Sequence, residues 1–127
     1  MVLRDLLAEY NALPEYLGME LTDVNQISLF GDSPLHVAAV RGSIAEMEVL
    51  VLARADVNAA GEHGYTPLHS AVEQGSGPAT HWLLEHGADP SRLTDSGFTA
   101  MVLAVELGEM ELAALLETGE RRWSAAT

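Results

Sequence analysis

Five histidines are the side chains of this chain best suited to metal binding or proton transfer, and none has a companion at the spacing such chemistry needs. His81 and His86 stand five apart, which on a helix turns them roughly 140° from a common face; a shared metal prefers a separation of three or four. His63 falls in a loop segment, and His36 and His69 are far apart in the chain. Glu109 and Glu111 point to different faces of a helix and do not form an acid–base pair. The chain has no cysteine, so it lacks thiolate ligands, thiol nucleophiles and disulfides, and a reducing compartment suits it. No Gly-x-Gly-x-x-Gly, Walker loop, Gly-x-Ser-x-Gly or His-Glu-x-x-His occurs, which leaves phosphate cradles, nucleophile elbows and zinc-protease sites unsupported. The expectation is a non-enzyme with no catalytic residue, no cofactor and no metal.

Charge narrows the range of partners. Nineteen acidic side chains against six arginines give a net charge of -13 over 127 residues, a field that repels phosphate backbones and anionic lipid. The acidity is spread evenly: residues 1 to 30 carry -4 and the segments 31 to 63, 64 to 96 and 97 to 127 carry -3 each. Such a surface serves solubility or steers the chain toward a basic partner. Arg4, Asp5 and Glu9 interrupt the apolar core a secretory signal would need. The longest run without charge, Gln74 to Leu84, falls well short of the ~20 apolar residues that span a bilayer. A cytoplasmic protein that contacts neither membrane nor nucleic acid is expected.

The strongest signal is periodic. Gly31, Gly64 and Gly97 share one interval, which also separates Pro34, Pro67 and Ala100, and again Gly42, Gly75 and Gly108. A unit as short as this interval cannot bury its own apolar flank and must stack on the next, giving an extended scaffold of the kind that binds proteins. Ser33-Pro34 and Thr66-Pro67 place a capping hydroxyl before a proline at the first helical position, and Thr99-Ala100 keeps the hydroxyl. Gly42, Gly75 and Gly108 close these first helices in left-handed turns. Second helices follow, with Ile44, Met47, Leu50 and Val51, then Trp82, Leu83 and Leu84, then Met110, Leu112, Leu115 and Leu116 facing the stack. Ala38, Ala39, Ala71 and Ala104 let helices approach closely. Gly87 and Gly119 are expected to stop the second helices of the later copies, where copy one has Arg54; the third copy then reads one residue short after Gly108.

Gly64-Tyr65-Thr66-Pro67-Leu68-His69-Ser70-Ala71, with Gly31-Asp32-Ser33-Pro34-Leu35-His36 before it and Gly87-Ala88-Asp89-Pro90 after it, resembles the ankyrin repeat. The resemblance covers Asp23 to about Gly119, and the third copy departs from it at Thr99-Ala100-Met101-Val102. It implies an all-α solenoid of helix-turn-helix units with loop fingers, with His36 and His69 in a structural role, bonding to backbone between neighbouring loops. It also implies binding by the loop tips and the exposed side of each first helix. Carried over by position, this selects Leu29, Phe30, Asp32, Val40 and Arg41; Glu62, His63, Tyr65, Glu73 and Gln74; and Asp95, Ser96, Phe98, Glu106 and Leu107. Tyr65 and Phe98 should project in register along one concave edge, where aromatic anchors among acids suit a basic partner. Alternatively Phe30, Tyr65 and Phe98 pack against adjacent loops.

The expected organisation is one domain: an N-terminal helical cap (1–30), repeats at 31–63 and 64–96, a truncated repeat at 97–119 and a tail at 120–127. Leu3, Leu6, Leu7 and Tyr10 have helical spacing, Leu13 to Gly18 reads as a short second helix, and Trp123 either folds back on the last helix or meets a partner. The expected function is protein binding by a chain that is monomeric when free, in its sharper form as an acidic inhibitor or immunity protein that neutralises a basic toxin. The alternative is an adaptor or regulatory scaffold.

Overall fold

The computed structural model describes residues 1–126; Thr127, the end of the expected tail, lies outside the described residues. Seven α-helices and no strand are present among them: α1 (Leu3–Asn11), α2 (Pro34–Arg41), α3 (Ile44–Leu52), α4 (Pro67–Glu73), α5 (Gly77–Glu85), α6 (Ala100–Glu106) and α7 (Met110–Ala126). Each proline or alanine start follows its predicted hydroxyl cap, and Thr66 and Thr99 accept from the amides of His69 and Val102. Gly42, Gly75 and Gly108 all adopt positive φ, so each first helix ends where the repeat requires. The first helices α2, α4 and α6 pack in one row, the second helices α3, α5 and α7 in another, and α1 leans on α3.

The core is a stripe between these rows. Ala38, Ala39, Ala71 and Ala104 are fully buried, as are Leu50, Leu83 and Leu116, which recur at the repeat interval along the second row. That recurrence corrects one expectation, because the third copy is not a residue short: the starts of α5 at Gly77 and α7 at Met110 are separated by one whole repeat. A second correction concerns Gly119, which does not stop the helix. α7 runs through it to Ala126, and a Cβ there would stand 3.0 Å from the Leu84 side chain. Glycine at this site permits close approach of α7 to α5. The segment expected as a tail is thus the last two turns of α7, and half-buried Trp123 helps line a cavity of about 330 Å³ between α5 and α7.

Two hydrogen-bond ladders bind the stack. Asn25 donates to the Arg54 carbonyl (3.1 Å) and accepts from the Asp56 amide (2.8 Å); Asn58 repeats both bonds with Gly87 and Asp89 (3.1 and 2.7 Å). In the second ladder, the His36 and His69 rings reach the carbonyls of Tyr65 and Phe98 at 2.7 and 3.0 Å. A carbonyl can only accept, so Nε2 carries the proton. Nδ1 then accepts from the Ser33 or Thr66 amide at 3.0 or 3.1 Å. At the N-terminal end the place of the imidazole is taken by Tyr16, fully buried at the end of a short 3-10 turn (Pro14–Tyr16), whose hydroxyl donates to the Asp32 carbonyl at 3.3 Å. Asp32, Tyr65 and Phe98 hold the same position in successive repeats, and one carbonyl in each finger receives this bond.

Arg54 stands in register with Gly87 and, like it, is left-handed, with φ of 72° and 94°. An L side chain there costs about 1 kcal/mol, and its carbonyl bond to Asn25 does not depend on the side chain. Arg54→Gly should raise the melting temperature by about 2–3 °C, the added freedom of glycine in the unfolded chain offsetting part of the gain. An unchanged or lower value in thermal denaturation followed by circular dichroism would refute the assignment of strain.

Candidate protein-binding surface

Three loop fingers project beyond the first helices, each closed by one backbone bond: Ser28 to Asp32 (2.7 Å), Gly61 to Tyr65 (2.7 Å) and Thr94 to Phe98 (2.9 Å). Neighbouring fingers are joined. The Glu62 amide donates to the Asp32 carboxylate at 2.9 Å, and the Asp95 amide to the His63 carbonyl at 3.0 Å. The middle finger turns on His63 and Gly64, with φ of 59° and 73°. Only glycine serves at position 64, since a Cβ would lie 2.8 Å from the Asp95 amide nitrogen.

Six of the fifteen expected contact residues converge. Asp32, Val40, Glu62, His63, Tyr65 and Glu73 line, with Ser70, a notch of about 150 Å³ between the first two fingers and helices α2 and α4. Three acidic residues and a phenol on one notch suit it to a cation, and Val40 adds an apolar wall. The Tyr65 phenol titrates above its ordinary range because of burial first and then the Glu73 carboxylate. Ser70 was missed in the sequence, although its place three residues before Glu73 on α4 puts both on one helix face.

The remaining residues divide by environment. Leu29 and Phe30 are open at the first finger tip (62% and 58% exposed), and Gln74, Asp95, Ser96, Glu106 and Leu107 are also exposed. Arg41 is committed within the chain: it pairs with Glu9 (3.2 Å) and Glu46 (3.1 Å), and lies 5.2 Å from the centre of the Tyr10 ring. Tyr10 in turn donates to Glu46. Tyr65 and Phe98 are half-buried against the core while their carbonyls hold the ladder, so they belong partly to the stack and partly to the surface.

The histidines separate as their spacing requires. His81 faces Glu85 at 3.7 Å, whereas His86 stacks on the Trp82 ring with centroids 3.7 Å apart. Among the described residues, no group of three or more His, Cys, Asp or Glu is placed to hold a metal, and no helix is long and apolar enough to cross a membrane.

A family model described as ankyrin repeats (3 copies) matches residues 6–94, most of the chain. This protein belongs to the ankyrin-repeat family. The match opens in α1 and closes in the third finger, so the α6–α7 pair lies beyond it. No curated protein matches the chain. Ankyrin repeats are a non-catalytic interaction fold, and the chain is accordingly a protein–protein interaction module.

Burial holds His36 and His69 below the ordinary imidazole value of 6.5, outweighing the finger carbonyls that favour the charged ring. The unfolded chain therefore takes up protons below pH 6.5 that the folded chain refuses. Stability is complete above that pH and falls as pH drops toward the folded values, by up to about 1.4 kcal/mol per pH unit for each ring. His69→Gln should roughly halve the two-ring slope. Urea denaturation from neutral pH to about pH 5.5 measures it, and a flat profile in the parent chain would contradict neutral buried rings.

Proposed function

We propose that this ankyrin module binds a basic protein through the notch and finger tips and neutralises it, as an acidic inhibitor or immunity protein does to a toxin. The observation that carries this reading is that Asp32, Glu62 and Glu73 line one small notch with Tyr65, a set that suits an arginine or lysine side chain. Net charge of -13 supports it by drawing a cationic surface from a distance, and the open Leu29 and Phe30 then supply apolar contact beside the charged anchor. Inhibition needs no chemistry from the ankyrin chain; occlusion of the partner's cationic surface is enough.

Those same two residues favour a second reading, an adaptor or regulatory scaffold that docks mainly through apolar tips. Affinity capture from the native cell with low-salt and high-salt washes, followed by binding kinetics of the captured protein, separates the two. For the inhibitor, association should slow at least about tenfold from low to high salt, and Glu62→Gln with Glu73→Gln should slow it several-fold at low salt. For the adaptor, Leu29→Ala with Phe30→Ala should raise the dissociation rate while salt has little effect. A captured partner that is not basic, or salt-independent association, would sink the inhibitor reading.

A further inference from the structure

On the face of the α6–α7 pair turned away from the second repeat, no other described helix packs, and its α6 side is an apolar strip. Val102 occupies the repeat position of His69, and Val105 that of Val72. His69 and Val72 are buried against the third repeat (1% and 0% exposed), whereas Val102 and Val105 are 38% and 48% exposed. Met110 is 59% exposed at the register of Gly77, which a Cβ would bring to 3.9 Å from Leu112 of the next repeat. A Cβ at Gly42 or Gly75 would likewise meet Ser76 or Glu109 across a repeat boundary, but one at Gly108 meets nothing. These positions therefore form one face, the same face that joins each repeat to its successor.

We propose that this face pairs with the same face of a second copy, giving an end-to-end dimer. Three features select that occupant. In the preceding repeats this face packs on a helix pair, there the opposite face of the next repeat, so its two-helix contour is shaped to receive helices. Position 102 has lost the imidazole that a following finger's carbonyl would require; valine leaves such a carbonyl without a donor and suits an occupant that presents apolar atoms, as a second Val102 would across a two-fold axis. The depression beside Met101 is bordered by Glu117, Glu120 and Arg121, and Arg121 pairs with Glu117 at 2.7 Å, so the charge that a second copy would meet there is partly neutralised. End-to-end contact also keeps the acidic finger surfaces of the two copies apart, and both notches stay open. The inference departs from the expectation that the free chain is a monomer, and does not depend on the proposed basic partner.

Sedimentation equilibrium over micromolar to submillimolar protein tests it. The weight-average mass should rise with concentration from 13.6 kDa toward twice that value, and should rise more readily at high salt, where repulsion between the acidic copies is screened. Salt thus acts here in the sense opposite to its effect on a basic partner. Val102→Glu with Val105→Glu should stay at the monomer mass with unchanged helical circular dichroism and an unchanged melting temperature. Met110→Glu, on the other helix of the face, should weaken the dimer independently. A parent chain that stays at the monomer mass throughout, or a dimer that survives the paired valine substitutions, would overturn the proposal. So would a dimer abolished by Leu29→Asp with Phe30→Asp, which would move the contact to the fingers.

Discussion

The stack depends on one hydrogen bond repeated at each boundary: a donor buried at the base of one unit meets the carbonyl that closes the next finger. His36 and His69 supply it twice and Tyr16 supplies it at the N-terminal end. Each accepting carbonyl already takes a bond from its own finger, so the imidazole or phenol fills its second lone pair. Removing the donor would leave a buried acceptor half satisfied and a finger free to swing. Conversely, the ring nitrogen that accepts from the helix-capping amide fixes which nitrogen carries the proton. Helix start, ring tautomer and finger position are thereby one arrangement, and the neutral rings are a consequence of it.

The ladder also explains why the binding surface is ordered enough to present a notch. Tyr65 offers its carbonyl to His36 and its ring to the notch, while Asp32 accepts the Glu62 amide with a carboxylate that also lines the notch. The residues that would grip a cation are held by the bonds that join the repeats, so little ordering remains to be done on binding. Arg41, the residue after Val40 on α2, is instead engaged by Glu9 and Glu46. Its pairing keeps the one cation of that helix away from the notch and ties the α1 cap to α2 and α3.

Periodicity made most of the fold legible, because position, cap and closing glycine recur at one interval and each has its own backbone reason. Arg54 could be read as left-handed from register alone. Gly119 could not be read correctly, since glycine serves both to end helices and to let them touch; the deciding fact, the proximity of Leu84, is tertiary. Tyr16 was similarly hidden: it replaces histidine in function while standing outside the repeat, and no spacing marks it. At the surface, repeat position identified the acids of the notch but could not show that Arg41 is engaged elsewhere or that Phe98 is half-buried, because both depend on side-chain neighbours.

With valine at position 102, where the two earlier repeats carry histidine, the imidazole ladder stops at the third repeat. Continuing the ladder would require a donor there and a finger beyond it; with valine, the need for a partner carbonyl disappears and the face becomes apolar. Further along the same face, Glu117 stands in register with Val51 and Leu84, both half-buried in the stack, so the second helix turns polar where the first turns apolar. This face of the third repeat is thus two-sided, a valine strip on α6 beside a charged strip on α7. Water satisfies the charged strip, but the valines gain only by meeting another apolar surface, which makes the boundary of the stack chemically different from either its interior or its finger edge.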